Sequence, residues 1–464
     1  MKKISKETIM TEFNNSTDLI VKELDNYTIL YLESLCSSNR INEFILKVLL
    51  INKEPNDLRD NLAGPNTKVI KKFADIKTYL TNGFTIILSE NKAYAVETKG
   101  DLVRAISLPQ VQPSKFGPKD AFNENILNNL GLIKRRIKDN NLINKDMYIG
   151  KRTSTKVSVV YLGDIAKDEY VKKIEEKLSK IDVDGILDSN ILSQLLSEDN
   201  ADFPTIFATE RPDNVCSQLL EGKIAILVDT SPFALILPSF FADFINPTID
   251  DYSKSSSNTF LKILRMFCFI TTIIAPALYV ALINYNHETI PLKLLISFAI
   301  QRDGVPFPAA IESMFMLFLC EVLRESDVRF PSAYGSSISI LGALILGEAA
   351  ISAGIVSPIM TIVIAITFIT SLVFTENEIV NVLRYYRFIF LIGTILFGLF
   401  GIVFAGLFFL IHLASIEVLG IPYTYSLAPF DNVYFSKTLW RRKKGNDIYR
   451  SKVLTDNTVK GKKI

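Results

Sequence analysis

Between Gly335 and Phe374 the chain carries one ionisable side chain, Glu348, in a run otherwise free of charge. Water cannot be the solvent of such a stretch. A hydrocarbon slab about 30 Å thick is crossed by about 20 apolar helical residues. In lipid, only helices and closed barrels satisfy their own backbone, and apolar runs of this length are helical. The stretch therefore predicts two short crossings, with Gly354, Ser357 and Pro358 as the break between them. A carboxylate in that slab costs several kcal/mol unless it faces protein, water or a cation. Glu348 is thus the first candidate functional residue.

The rest of the chain divides around this feature. Its 464 residues have room for two or three domains. Lysine and arginine nearly cancel aspartate and glutamate, leaving +2, so bulk charge indicates no nucleic-acid partner. The 48% hydrophobic content averages two unlike halves: charged and soluble-looking up to about Ser257, membrane-like from Phe260 to Leu419. Cys36, Cys216, Cys268 and Cys320 are scattered without a CxxC, which predicts free thiols and neither a disulfide framework nor a zinc site. Met1 to Asn15 lacks an apolar core, so no cleavable signal peptide is expected and insertion relies on internal helices.

The first half reads as a mixed α/β, two-part soluble domain. It comprises an N-terminal helical segment (1–60), a first α/β subdomain (61–150) and a second (151–257). Apolar positions from about Asp18 to Leu50 fall at helical spacing and predict amphipathic helices. The Pro55 and Pro65 regions read as linkers. Residues 83–89 and 93–98 predict strands of a hairpin, turning at Glu90, Asn91 and Lys92. A polar helix over 121–138 contains Lys134, Arg135 and Arg136, more simply a solvated face than a binding patch. Further on, Val157–Leu162 predicts a strand and Asp168–Ile181 a helix, with short extended pieces at 182–188 and 204–209. The runs 224–228 and 233–237 form a hairpin around Asp229 to Pro232, apolar enough for a sheet covered on both faces.

No constellation for catalysis stands out. Gly150-Lys151 lacks the earlier glycine and the following Ser/Thr of a phosphate loop, and HExxH, GxGxxG and GxSxG are absent. With two histidines, His287 and His412, acid–base or metal chemistry has little to work with. The expectation is a non-enzyme with no catalytic, cofactor or metal site.

The second half (258–422) predicts an all-α membrane domain of four to five hydrophobic segments. Met266–Asn284 is a crossing with a kink at Pro276. Ile290–Gln301 is too short and interrupted by Lys293. Gly304–Cys320 is marginal, with Glu312 near its start, where interfacial water would reach it. The central pair follows, then Phe388–Ile411 as one long crossing. Small residues recur every four positions at Gly335, Ser339, Ala343 and Gly347, and again at Ala350 and Gly354, a face that permits close helix packing. Gly398 and Gly401 offer the same on the last segment. The tail (423–464) is basic, which places it on the cytoplasmic side. Both ends inside require an even number of crossings, favouring four, with Gly304–Cys320 not fully spanning. Two readings of Glu348 stay open. In one it locks the bundle, paired with Lys293 or Arg302. In the other it faces a water-filled path and, repeated around an oligomer axis, forms a cation-favouring ring.

Ordered along almost the whole chain are pieces that resemble one family. In the soluble half these are Gly117-Pro118, Phe122-Asn-Glu-Asn, Leu132-Ile-Lys-Arg-Arg-Ile, Ile149-Gly150 with Thr153, and Phe203-Pro-Thr. Thr209-Glu-Arg-Pro-Asp, Leu220-Glu-Gly-Lys-Ile-Ala-Ile-Leu-Val-Asp, Ser231-Pro-Phe-Ala-Leu-Ile and Asp250-Asp251-Tyr252 follow. In the membrane half they are Leu278-Tyr-Val-Ala-Leu, Pro291, Val305-Pro-Phe-Pro with Glu312, and Gly342-Ala-Leu-Ile-Leu-Gly. Gly354-Ile-Val-Ser, His412-Leu and Gly420-Ile-Pro-Tyr complete the series. The chain resembles the A subunits of GerA-type spore germinant receptors. It departs at Thr230, where the family usually has glycine, and in the basic cluster after Trp440. The resemblance implies a membrane subunit of a nutrient receptor in the spore inner membrane, working with a transporter-like B subunit and a C-subunit lipoprotein. It further implies an oligomeric, pentameric channel for monovalent cations and a two-part N-terminal domain on the cytoplasmic (core) side.

On that expectation the helix 336–356 lines the path. Glu348 attracts cations, Ser352 and Ser357 offer hydroxyls, and Ile355 with Val356 forms an apolar constriction. Glu312, Lys293 and Arg302 are the other candidate intramembrane polar residues. The alternatives are a non-conducting scaffold that relays a signal, and a solute transporter. The transporter should show paired broken helices in two repeats, of which the sequence has one copy.

Overall fold

The structure is a computed structural model that describes residues 4–24, 26–51, 66–70, 72–89, 92–100, 108–109, 111–112, 117–197, 202–246, 252, 255–329, 347–374, 376–439 and 448–460. The Pro55 and Pro65 linkers, Glu90 and Asn91 of the hairpin turn, Asp250, Asp251, the small-residue positions 335–343 and the basic cluster 441–444 lie outside the described residues.

The first sheet has five antiparallel strands in the order β1-β2-β4-β5-β3: β1 Leu19–Leu24, β2 Tyr27–Leu32, β3 Thr67–Ile70, β4 Phe84–Leu88 and β5 Ala93–Glu97. Strand side chains alternate between faces, so Leu30, Leu32 and Ile86 pack with helices α1 (Lys6–Glu12) and α3 (Phe73–Thr81). Ile29, Tyr31 and Ile87 pack on the other face against α2, a continuous helical run over 38–51. This corrects the helical expectation for the region from Asp18. Leu19 pairs with Leu32 and Leu24 with Tyr27 in a hairpin, and only the part from Ser38 is helical. The run Tyr27-Thr-Ile-Leu-Tyr-Leu is rich in aromatic and β-branched side chains, which overrides the helical spacing before it.

The second sheet repeats the plan with strands ordered β6-β7-β9-β10-β8: β6 Leu142–Ile149, β7 Thr155–Leu162, β8 Phe207–Thr209, β9 Ile224–Val228 and β10 Ala234–Leu237. Its helices are α4 Ile126–Arg136, α5 Asp168–Ser179, α6 Ser189–Leu196 and α7 Pro212–Leu220. The two predicted hairpins are present, and every residue of β9 and β10 is buried. At Thr230 the backbone takes a φ of +72°, a conformation that glycine adopts freely. Here its backbone N–H bonds Glu124 O (2.8 Å) and its hydroxyl bonds Leu187 O (3.1 Å).

The basic triplet on α4 does not form one solvated face. Lys134 is buried against Asp18, the residue before β1 of the first sheet, Arg136 pairs with Asp120, and only Arg135 is exposed. Asp18 also accepts from Ser34, and Ser16 donates to Asn144 of β6 at 2.6 Å, so a buried polar seam joins the two sheets.

All four cysteines are free. Burial pushes the Cys216 thiol of α7 up to about 12. The thiolate is the reactive form, and burial both disfavours it and shields the sulfur. Iodoacetamide at pH 8 is therefore expected to leave Cys216 unmodified in the native protein and to label it on denaturation, as read by mass measurement of the proteolytic peptide that contains it.

A short helix, α8 (Phe241–Ile245), leads into the helical half: α9 Ser255–Asn284, α10 Leu292–Arg302, α11 Ala309–Arg329, a helix described over 347–352 (α12), α13 Pro358–Ser371, α14 Asn377–Phe397 and α15 Leu399–Ser415. Helix α9 continues through Pro276. Two helices, Asn258–Asn284 and Asn377–Phe397, are long and apolar enough to cross a membrane, with Pro358–Ser371 and Leu399–Ser415 as shorter apolar helices. Phe260, Phe267 and Ile270 on α9, and Leu396, Phe400, Phe404 and Ile411 on the last two helices, are large, apolar and exposed. An apolar surface of that extent suits hydrocarbon rather than water.

The expected single crossing Phe388–Ile411 is overturned. The chain reverses at Gly398 (φ +60°), and α14 and α15 pack as a hairpin. Gly393 and Gly401 permit the contact, because a Cβ at Gly401 would lie 1.9 Å from Gly393 O. After α15 the chain returns to the second sheet. Tyr434 of helix α16 (Asn432–Leu439) donates to Asp243, Arg450 donates to Leu220 O at 2.6 Å, and Tyr170 of α5 donates to Val453 O. One hydrophobic core runs from that sheet through Phe269, Tyr386 and Phe409 of the bundle to Leu454 of the tail.

Candidate functional site

The central break lies where the small and capping residues put it. Helix α12 ends as Ile355 N and Val356 N both turn back to Ala350 O, with Gly354 at φ +67°. Ser357 then caps α13, its Oγ accepting from Met360 N, and Pro358 occupies the first helical position, where a missing N–H costs nothing.

Neighbouring helices hold this break in place. Thr272 of α9 donates to Thr370 of α13 at 2.9 Å, while Tyr279 and Val280 share a core with Val356 and Met360, so α9 and α13 are antiparallel. Helix α11 runs parallel to α13. Glu312 meets Ser357 at their starts and Arg324 donates to Ser371 (2.7 Å) at their ends. The marginal segment thus begins at Ala309 and continues past Cys320 to Arg329.

Glu312 is the fixed point. Its side chain is 0% exposed. Oε2 accepts from Ser357 Oγ (2.8 Å) and Ser357 N (3.2 Å), and Oε1 from Arg302 Nη2 (3.3 Å). A buried carboxylate with bonds to both oxygens is tolerable where a bare one is not. The expectation of interfacial water at Glu312 is thereby corrected. So is the pairing of Glu348 with Lys293 or Arg302: Arg302 is committed to Glu312, and Lys293 is exposed on α10, none of whose residues is buried.

The five candidate path residues separate into two groups. Glu348 and Ser352, one turn apart on α12, are exposed, and Ile355 is 38% exposed. Val356 (1%) and Ser357 (0%) face the chain's own core, beside Met316, Met360 and Leu391. Glu348 makes no ion pair or hydrogen bond among the described residues. Charges on α11 and α14 behave differently. Glu321 pairs with Arg384 and lies 3.9 Å from Arg387, whose Nε donates to Thr272 O on α9 at 2.9 Å. The Arg384 and Arg387 spacing of one turn on an apolar helix was the signal for this cluster.

Fold and site together define a two-part α/β headpiece fused to a helical bundle of membrane character, with an exposed carboxylate at a central helix break. The chain belongs to the GerA family, Bacillus/Clostridium GerA spore germination protein, whose match spans residues 7–452. It is 35% identical over 447 residues to spore germination protein KA of Bacillus subtilis (strain 168), covering 93% of this chain and 82% of that protein. Spore germination protein GerLA of Bacillus cereus is 35% identical over 438 residues, covering 91% and 89%. A crystal structure of the N-terminal domain of the A subunit of the Bacillus megaterium spore germinant receptor GerK3 aligns at 29% identity and a TM-score of 0.38. That alignment covers 51% of this chain and 93% of that one.

Proposed function

We propose that the chain is the A subunit of a nutrient receptor of bacterial spores and that several copies, five by the family resemblance, enclose a gated path for monovalent cations. It is a non-enzymatic subunit of the spore inner membrane. The headpiece and tail lie on the core side, beside a transporter-like B subunit and a lipoprotein C subunit. The observation that supports the path is the exposure of Glu348 with no partner among the described residues, when Glu312, Glu321 and Arg387 are all engaged inside the same chain. Around an axis, Glu348 and Ser352 supply oxygen atoms and Ile355 an apolar neighbour, while Val356 and Ser357 fix the break from behind.

In planar bilayers containing the purified protein, Glu348→Gln is expected to lower unit potassium conductance several-fold at 10 mM salt (on the order of a 30 Å screening length) and little at 1 M, where screening acts within about 3 Å. A non-conducting relay subunit would show no unit conductance in either form, and a conductance insensitive to Glu348 at low salt would remove this residue from the path.

A further inference from the structure

We propose that Gln112 is the positioning residue that couples the headpiece to helix α14. Gln112 lies in the connection between the two sheets and is buried. Each of its polar groups is held. Its N–H donates to Glu210 Oε1 (2.7 Å), and its carbonyl accepts from Arg211 Nη1 (3.3 Å). Its Oε1 accepts from the Thr209 hydroxyl (2.7 Å). That last bond fixes the amide orientation, leaving the NH₂ end to donate to Glu376 Oε1 at 2.9 Å. Glu376 is the residue preceding α14, at the N-cap position, yet its side chain makes no capping bond to that helix.

Thr209-Glu-Arg-Pro-Asp therefore acts as the clamp on this residue. Arg211, 1% exposed, also bonds Asp213 and Pro118 O, and Asp213 accepts from Tyr252. The clamp sits on β8 and the start of α7, so Gln112 is fixed to the second sheet and reaches out to the bundle. On the bundle side, α14 is bonded to α9 through Arg387 and to α11 through Glu321. One amide thus connects the inter-sheet connection to three helices. A shift of β8 and the start of α7 relative to the bundle is delivered through Gln112 and Glu376 to the start of α14. The functional sense of this coupling rests on the reading that the bundle opens; the contact itself does not.

The test uses the full-length protein in detergent or nanodiscs and hydrogen–deuterium exchange of peptides covering 377–386. Gln112→Glu removes the donor and sets a carboxylate against Glu376. Exchange in those peptides is expected to rise about tenfold, with β9 and β10 unchanged. Adding Glu376→Gln restores a donor from the other side and is expected to return exchange to within about twofold of the native rate, a rescue that general loss of packing would not show. In bilayers, Gln112→Glu should change the open fraction and leave unit conductance as it was, the reverse of Glu348→Gln. Unchanged exchange in the single variant, or no rescue in the double variant, overturns the coupling role. If no conductance is seen at all, the exchange measurement still decides the contact, and only the channel reading fails.

Discussion

Alanine at position 401 is expected to unfold the α14–α15 hairpin's packing and to lower stability by about 3 kcal/mol, the upper end for overpacking. The added Cβ would lie 1.9 Å from Gly393 O and 2.3 Å from its carbonyl carbon, both backbone atoms with no rotamer to yield. The helices must part by roughly 1–2 Å to regain normal contact, which forfeits much of the dispersion energy along the interface. Gly406→Ala is the internal control. Its Cβ would meet Phe390 at 3.9 Å, an ordinary contact, so the change should be neutral or slightly stabilising through helix propensity. Thermal unfolding of the detergent-solubilised protein reads both. Equal melting temperatures for Gly401→Ala and the native chain would show that the two helices do not meet at these glycines.

Removing the Glu312 carboxylate should cost about as much. Glu312→Leu leaves Arg302 without its partner and Ser357 N and Oγ without their acceptor, a loss of about 3–5 kcal/mol for one half of a buried pair. Glu312→Gln keeps an acceptor for Ser357 and should lose about 1–2 kcal/mol. Replacing both partners, Arg302→Met with Glu312→Leu, should recover part of the loss, because neither charge is then stranded. A double variant as unstable as the sum of the singles would mean that the two side chains do not act as a pair.

Much of the architecture is readable from local pattern. The change in composition near Ser257 divides headpiece from bundle, the hairpins at 84–97 and 224–237 announce themselves through β-branched runs, and Gly354 to Pro358 marks the central break. The misreadings have physical causes. Leu19, Val21 and Leu24 fit a helical face as well as a strand, and only pairing with Tyr27–Leu32 decides between them. Strand β6 carries Asn144, Lys145 and Asp146 in its middle and so gives no strand signal; Lys145 is exposed at the edge of the sheet, and buried Asn144 is held by Ser16 and Thr17. Continuous apolarity hides the reversal at Gly398, since an apolar hairpin and a single span have the same composition.

The site was legible only in its residue types. An isolated Glu348 in an apolar stretch is visible in the chain alone, and so is Glu312. Which cation belongs to which carboxylate is a matter of tertiary placement, and Gln112, 264 residues from Glu376, gives no local sign of its partner. The Thr209 to Asp213 motif was visible, but its object was not, because what it holds is the backbone and amide of a residue far away in sequence.

The return of the chain after α15 has a mechanical consequence. Helix α9 leaves the second sheet through α8, and the segment after α15 comes back to α8, where the Phe241 N–H donates to Tyr423 O at 3.1 Å and Tyr434 is tied to Asp243. The helices hang from that sheet like the handle of a bucket, with both ends riveted to one plate. A torque on the plate cannot be relieved by a free end and must be borne by the helices themselves.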